Sequence, residues 1–404
     1  MASSSEDPVG HVLRRLVFGP TPEQRTRFGS ASPAEVIQAL LVDGPIKVKT
    51  PQLNEKSDDE EAVEWWLDIM RRPEAGLHER MVWFWHGHLT SGLDKASPLE
   101  MVTQLGLLRR NAMGNFRTML QEITVDPAML YWLDGADSYA EAPNENYARE
   151  VMELFALGRH SGAYTEADVR SGAKALAGYW VDDENNSVVF EREDALSGSV
   201  EFLGGQVSRA ADVIDAICDH PMCARFVAGS VHEYFFGTAP SEGRLDALAR
   251  VFSDADLEIA PLVEAVVTDP AFLTHSMSRP RSGLEWFLAF ERLVDTKVDI
   301  WTLELLGQIP LSPPNVAGWP DNERWLSSGS VMVKAETAID YSWDSATLDS
   351  SDPVGDVISR AGLLSVSDST RAVLEEARGK AQGRREEATL LHGVMAMSPE
   401  FALT

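Results

Sequence analysis

Cysteine is nearly missing from this sequence: Cys218 and Cys223 are the only two. They fall five apart in an expected helix, where their side chains point in different directions. A disulfide framework is therefore excluded, and both read as reduced core thiols compatible with the cytosol. Basic residues are scarce, 35 against 63 acidic ones, for a formal charge of −28. A field of that sign repels nucleic-acid phosphates and anionic membrane surfaces, leaving cationic, neutral or metal-bridged partners. No apolar run approaches the roughly 20 residues of a membrane helix, so no membrane insertion is expected. The opening Met-Ala-Ser-Ser-Ser-Glu-Asp-Pro lacks the basic and apolar regions of a secretory signal, and a cytoplasmic location is expected. Also missing are a nucleotide-binding glycine fingerprint, a Walker loop, a Gly-x-Ser-x-Gly elbow, a Cys-x-x-Cys pair and a His-Glu-x-x-His motif. Several common enzyme classes lose support with them.

What is present is helical periodicity. Hydrophobic residues make up 44% of the 404, enough to bury a large core. Strand signals concentrate in Val181 to Gly205, where Ser187-Val-Val-Phe-Glu and Val200-Glu-Phe-Leu-Gly flank a polar turn. The expected fold is mainly α: one large multi-helix domain over 1–340 with a small β-hairpin insert near 181–205. A linker follows over 341–356, then a C-terminal helical pair over 357–404 packing on the main domain. Apolar helix ends followed by Asp126-Pro127, Asp269-Pro270 and Ser398-Pro399 read as a shared helix-start device. Trp65, Trp66, Trp83 and Trp85 are most simply large core residues.

The densest run of functional groups lies between Pro143 and Gly178. Asn144 is a credible N-cap, and at 100° per residue Tyr147, Ala148, Val151, Met152, Leu154 and Phe155 share one half of a helix. Glu145, Asn146, Arg149, Glu150 and Glu153 share the other. One reading is a solvated face on which Glu145, Arg149 and Glu153 form an i, i+4 ladder. The other lets Asn146, Glu150 and Glu153 converge on a metal, a cationic group or a proton-transfer step. Gly158 suits a helix C′ position, His160 sits in the turn, and Thr165-Glu-Ala-Asp168 resembles a capping box. In Trp85-His86-Gly87-His88, residues i and i+2 do not share a helix face. They could chelate one ion only if the helix ended at Gly87, while two histidines at a helix C-terminus need no metal. The loop Pro313-Pro-Asn-Val-Ala-Gly-Trp319-Pro is rigid and aromatic, suited to a wall over a pocket or a structural plug.

Blocks spread in order along the chain resemble a bacterial family known as domain of unknown function 1800. They are Leu13-Arg-Arg15 with Phe18-Gly19, Trp83 to His88 with Lys95, Arg109 to Phe116, Asp126 to Leu130, and Asn144 to Gly158. Tyr164 to Arg170, Pro313 to Trp325 and Ser398 to Phe401 complete the set. The resemblance implies one mostly helical domain in which His86, His88, Asn144, Glu145, Asn146, Arg149, Glu150, Glu153 and Asp168 belong to signature blocks. It implies that relatives are often exported and accompany a sulfatase-like partner. Many members carry histidine where this chain has Phe155, and a His-Asp pair where it has Glu193-Asp194, which weakens a metal site.

Two functions are expected. In the first, a divalent or redox metal is held by His86, His88, Glu150 and Glu153 in a helical cleft, activating water or oxygen in a hydrolytic or oxygen-activating enzyme. Glu150, Glu153, His160 and Arg149 then do the chemistry, while Asn144, Asn146, Asp168 and Trp319 position an unidentified small-molecule or peptide substrate. A metal-free hydrolase using Glu and His fits the same residues. In the second, the chain is a binding or scaffold protein, open to a protein partner, whose polar cluster is a structural hydrogen-bond network.

Overall fold

The helices begin where side chains can answer the first unpaired amides. Thr21, Ser32, Ser97, Thr165 and Ser282 each close a complete capping box with the Gln, Glu or Asp three residues on. Asp126 and Ser398 cap helices that open on proline, which confirms the recurring helix-start device. The structure, a computed structural model, describes residues 7–404 apart from 55, 137, 183–184, 275–276, 321, 344–347 and 349.

The fold is mainly α, as expected, with a small β insert. That insert is two antiparallel hairpins rather than one. Ser187–Phe190 pairs back with Tyr179–Asp182, and Val200–Phe202 pairs forward with Gly205–Val207. Gly204, at φ 77, supplies the tight turn that lets Val200–Phe202 close on its own neighbour. Cys218 and Cys223 fall on two consecutive helices, Ala210–Asp219 and Pro221–Phe236, not on one; both are buried and free. Among the described residues no helix is long and apolar enough to cross a membrane.

Two helices run through the interior and are buried on nearly every side, Leu77–His88 and Gly283–Val294. Each therefore carries charge inward: Glu79 and Arg80 on the first, Glu285 and Glu291 on the second. The Arg384–Ala396 helix packs on both Ser328–Ser342 and Gly283–Val294, so the C-terminal helices lie against the main body. The expected 341–356 linker is shorter than that, since its ends belong to the Ser328–Ser342 and Pro353–Arg360 helices; 344–347 and 349 lie outside the described residues.

The proline-rich segment after Ile309 is strapped over the end of the Leu77–His88 helix. Leu93 donates its amide to the Leu311 carbonyl at 2.9 Å, and the Thr90 hydroxyl donates to the Val316 carbonyl. Gly318 adopts φ 80, and a Cβ there would lie 2.5 Å from the Gly87 carbonyl oxygen. Only glycine lets the strap come this close. The helix itself runs through Gly87 to His88 instead of ending at the glycine.

Candidate functional site

Arg80, Trp83, Phe84, Gly87 and His88 are spaced i, i+3, i+4, i+7 and i+8, one continuous stripe of a helix. All five line a cavity of about 260 Å³. Ser230, Glu233 and Tyr234 face it from the Pro221–Phe236 helix, Ser282 and Glu285 from the start of Gly283–Val294, and Trp319 from the strap. The Trp319 indole stacks on Trp83 with centroids 4.8 Å apart and planes 23° from parallel. Aromatic rings thus form one wall and charged groups the floor.

The floor is short of negative charge. Arg80 and Arg279, exposed to 1% and 5%, both bind the same oxygen, Oε1 of Glu285, Arg279 at 2.6 Å. The other oxygen is taken by the Ser282 amide at 2.8 Å, part of the helix cap. Burial alone would raise the Glu285 pKa; Arg279 and Arg80 overcome it and hold the carboxyl well below its usual range. Across the same helix the balance is one to one: Arg109 grips Glu79 with two bonds at 2.8 and 2.6 Å, and Trp66 donates to that carboxylate at 2.8 Å. Behind the floor stand more cations. Burial first, and then Arg14, push Arg281 down to about 9. Burial and then Arg281 bring Lys334 to about 8.

The residues expected to hold a metal are divided between three environments. His86 is fully buried against Trp66, Trp83 and Trp319, and neither ring nitrogen has a hydrogen-bond partner. Burial depresses its pKa to about 3. His88 points elsewhere, stacking on Phe84 with Nε2 2.8 Å from the Phe155 carbonyl. A carbonyl only accepts, so Nε2 carries the proton; burial lowers this imidazole to about 4, opposed by that bond. Glu150 and Glu153 lie on a third surface. Among the described residues no three His, Cys, Asp or Glu side chains are grouped to hold a metal ion, so this donor set does not fit one.

That third surface is a network closed on itself. The N-cap position falls on Glu145 rather than on Asn144, whose Oδ1 instead accepts from the Asn146 amide at 2.9 Å from one residue outside the helix; Asn146 Nδ2 reaches the Leu133 carbonyl at 3.4 Å. The Arg149 guanidinium binds Glu166 at 2.7 and 2.9 Å and Glu145 at 3.2 Å, with Glu153 3.8 Å away. Glu153 is held at 2.8 Å by Arg159. Asp168 completes its capping box and also takes the Leu203 amide at 2.8 Å, tying the second hairpin to the Glu166–Ala175 helix. His160 is exposed in its turn. Glu150 is the exception: Oε2 is buried with no partner, and burial followed by Glu153 raises its pKa. It sits where the Asn146–Glu150 α-helix passes into a π-helical turn, Val151–Ala156, which leaves the Phe155 carbonyl to His88. Phe155 itself is core, and Glu193 is exposed.

Sequence reasoning placed His88 and Trp319 on candidate sites but missed Arg80, Arg279, Glu285 and Tyr234. A signal for three of them existed: Arg80 stands inside Leu-His-Glu-Arg-Met-Val-Trp-Phe-Trp, and Glu285 inside Gly-Leu-Glu-Trp-Phe-Leu-Ala-Phe just after Arg279-Pro-Arg281. Charges in helices apolar on every side must meet one another or a ligand. No curated protein and no solved structure matches the chain. A family model described as Protein of unknown function (DUF1800) matches residues 11–403, nearly the whole chain, and the protein belongs to that family.

Proposed function

We propose that this chain is a binding protein whose cavity beneath the 310–320 strap receives a small molecule, with the polar Asn144–Asp168 network serving as frame. The observation carrying this reading is the division of labour between the two regions. One helical stripe and Trp319 enclose about 260 Å³ of space. Of the side chains expected to do chemistry, Arg149 and Glu153 are held in ion pairs and His160 is exposed, while Asn144 and Asp168 are taken by backbone amides. Concave, aromatic-walled space with a few converging polar groups is the usual form of a small-molecule site.

A second reading rests on His88. With its Nε2 proton given to Phe155 and its imidazole kept neutral, Nδ1 retains a lone pair, as a metal-free general base would. On that reading the bound molecule is also a substrate.

The stacked Trp83–Trp319 pair supplies a reporter. A panel of benzene-sized acids, amides and amines, followed by intrinsic fluorescence and thermal melting, tests occupancy. At least one class should shift both signals in the wild type and neither in Trp319→Ala. A folded wild type that responds to no class would overturn the binding reading.

A further inference from the structure

We propose that the ligand of this cavity is a small oxyanion, a carboxylic or phosphoric acid on a flat body, with its charge met by Arg80 and Arg279. The inference rests on the binding reading above and names the class of molecule bound.

The cavity is bordered by hydrogen-bonding atoms that nothing answers. Four side-chain nitrogens of cavity-lining residues are buried without a partner: Nε and Nη1 of Arg80, Nε of Arg279 and Nε1 of Trp319. All four are N–H groups that can only donate. Leaving such donors buried and unpaired costs about 1 to 3 kcal/mol each, more when the group is charged. The Arg80 guanidinium does lie against Tyr234 and Phe18, 5.1 and 5.4 Å from the ring centroids. Rings answer the faces of a guanidinium, and the Tyr234 hydroxyl is one neutral oxygen beside Arg80, so the need for a charged acceptor remains.

Charge favours an anion as well. Two guanidiniums share one oxygen of one carboxylate, and Arg15 and Arg281 stand behind them. The only other carboxylate lining the cavity among the described residues, Glu233, is exposed, where water screens it. An entering anion would bring the floor to the one-to-one balance already present at Arg109 and Glu79.

The shape of the lining suits a flat acid. A planar guanidinium presents a fork matched to a carboxylate or phosphate, and the Trp83–Trp319 stack presents a flat apolar face beside it. The orphan nitrogens are buried although their residues line the cavity, so an acceptor reaches them only with a shift of the groups around them, Trp319 among them. Occupancy should therefore be visible in tryptophan emission.

The test uses the full chain titrated with benzoate, phenyl phosphate and neutral benzamide, read by tryptophan fluorescence and by calorimetry. The two acids should bind at least tenfold more tightly than benzamide. A folded Arg80→Met should lose that difference while keeping benzamide binding. Equal affinity for acid and amide would overturn the oxyanion assignment and leave the cavity reading standing. No response to any of the three would remove both. Undiminished acid binding in folded Arg80→Met would place the anion elsewhere and overturn the proposal. Should Arg80→Met fail to fold, the wild-type comparison of acid with amide still decides.

Discussion

His86 and His88 lie two residues apart on one helix and face two different environments. The pattern His-x-His was legible, as was the rule that i and i+2 diverge on a helix. What was not legible was that the helix continues through Gly87 to His88, since a glycine near a helix end is compatible with either outcome. With the helix intact, His86 turns into the tryptophans and His88 toward Phe155. His86 then looks like an aromatic filler with two unanswered nitrogens. His86→Phe should leave stability unchanged or raise it by about 1 kcal/mol, read from urea unfolding. A loss beyond about 2 kcal/mol would mean that a ring nitrogen has a partner.

The strap over residues 310–320 was read from sequence as a rigid aromatic wall or a plug, and the structure gives it the first role. Its rigidity comes from Gly318 against the Gly87 carbonyl and from Thr90 beneath Val316. Gly318→Ala adds both a clash and a left-handed backbone penalty, and should cost about 2 kcal/mol or more in urea unfolding. Tryptophan emission should shift as Trp319 leaves Trp83; unchanged emission would show that the strap tolerates the methyl group. The amphipathic helix after Asn144 was also legible, down to its ladder of Glu145, Arg149 and Glu153, because i, i+4 geometry is local. The pairing of Arg80 with Glu285 was not, since it joins residues 205 apart in the chain. No local spacing encodes it.

At the scale of the whole molecule, four buried groups contribute strongly to how stability varies with pH between about 4 and 7. Burial lowers His86 to about 3 and His88 and His392 to about 4, so the unfolded chain takes up their protons first. Their contribution is full above the unfolded histidine value near 6.5 and is lost as pH falls. Asp126 acts in the opposite sense: burial raises it to about 7, so its folded form holds a proton that the unfolded form releases. Its penalty grows as pH rises from about 4 to 7. Near pH 5 the balance of these groups is an uptake of about two protons on unfolding, so stability should fall with acid at about 2 to 3 kcal/mol per pH unit. Asp126→Asn keeps the cap and the Gln104 bond. It should therefore stabilise the protein at pH 8 and not at pH 4; equal effects at both would contradict a protonated Asp126.

The cavity has one more consequence, for synthesis. Its lining is drawn from residues 80–88, 230–234, 279–285 and 308–325. The helix bearing Arg80 leaves the ribosome long before the strap that roofs it, and Glu285 reaches its arginine only after some two hundred further residues have been made. Long-range closure of this kind comes late and slowly. A nascent chain therefore carries the cavity face of this tryptophan-rich helix without its roof until most of the sequence has been made.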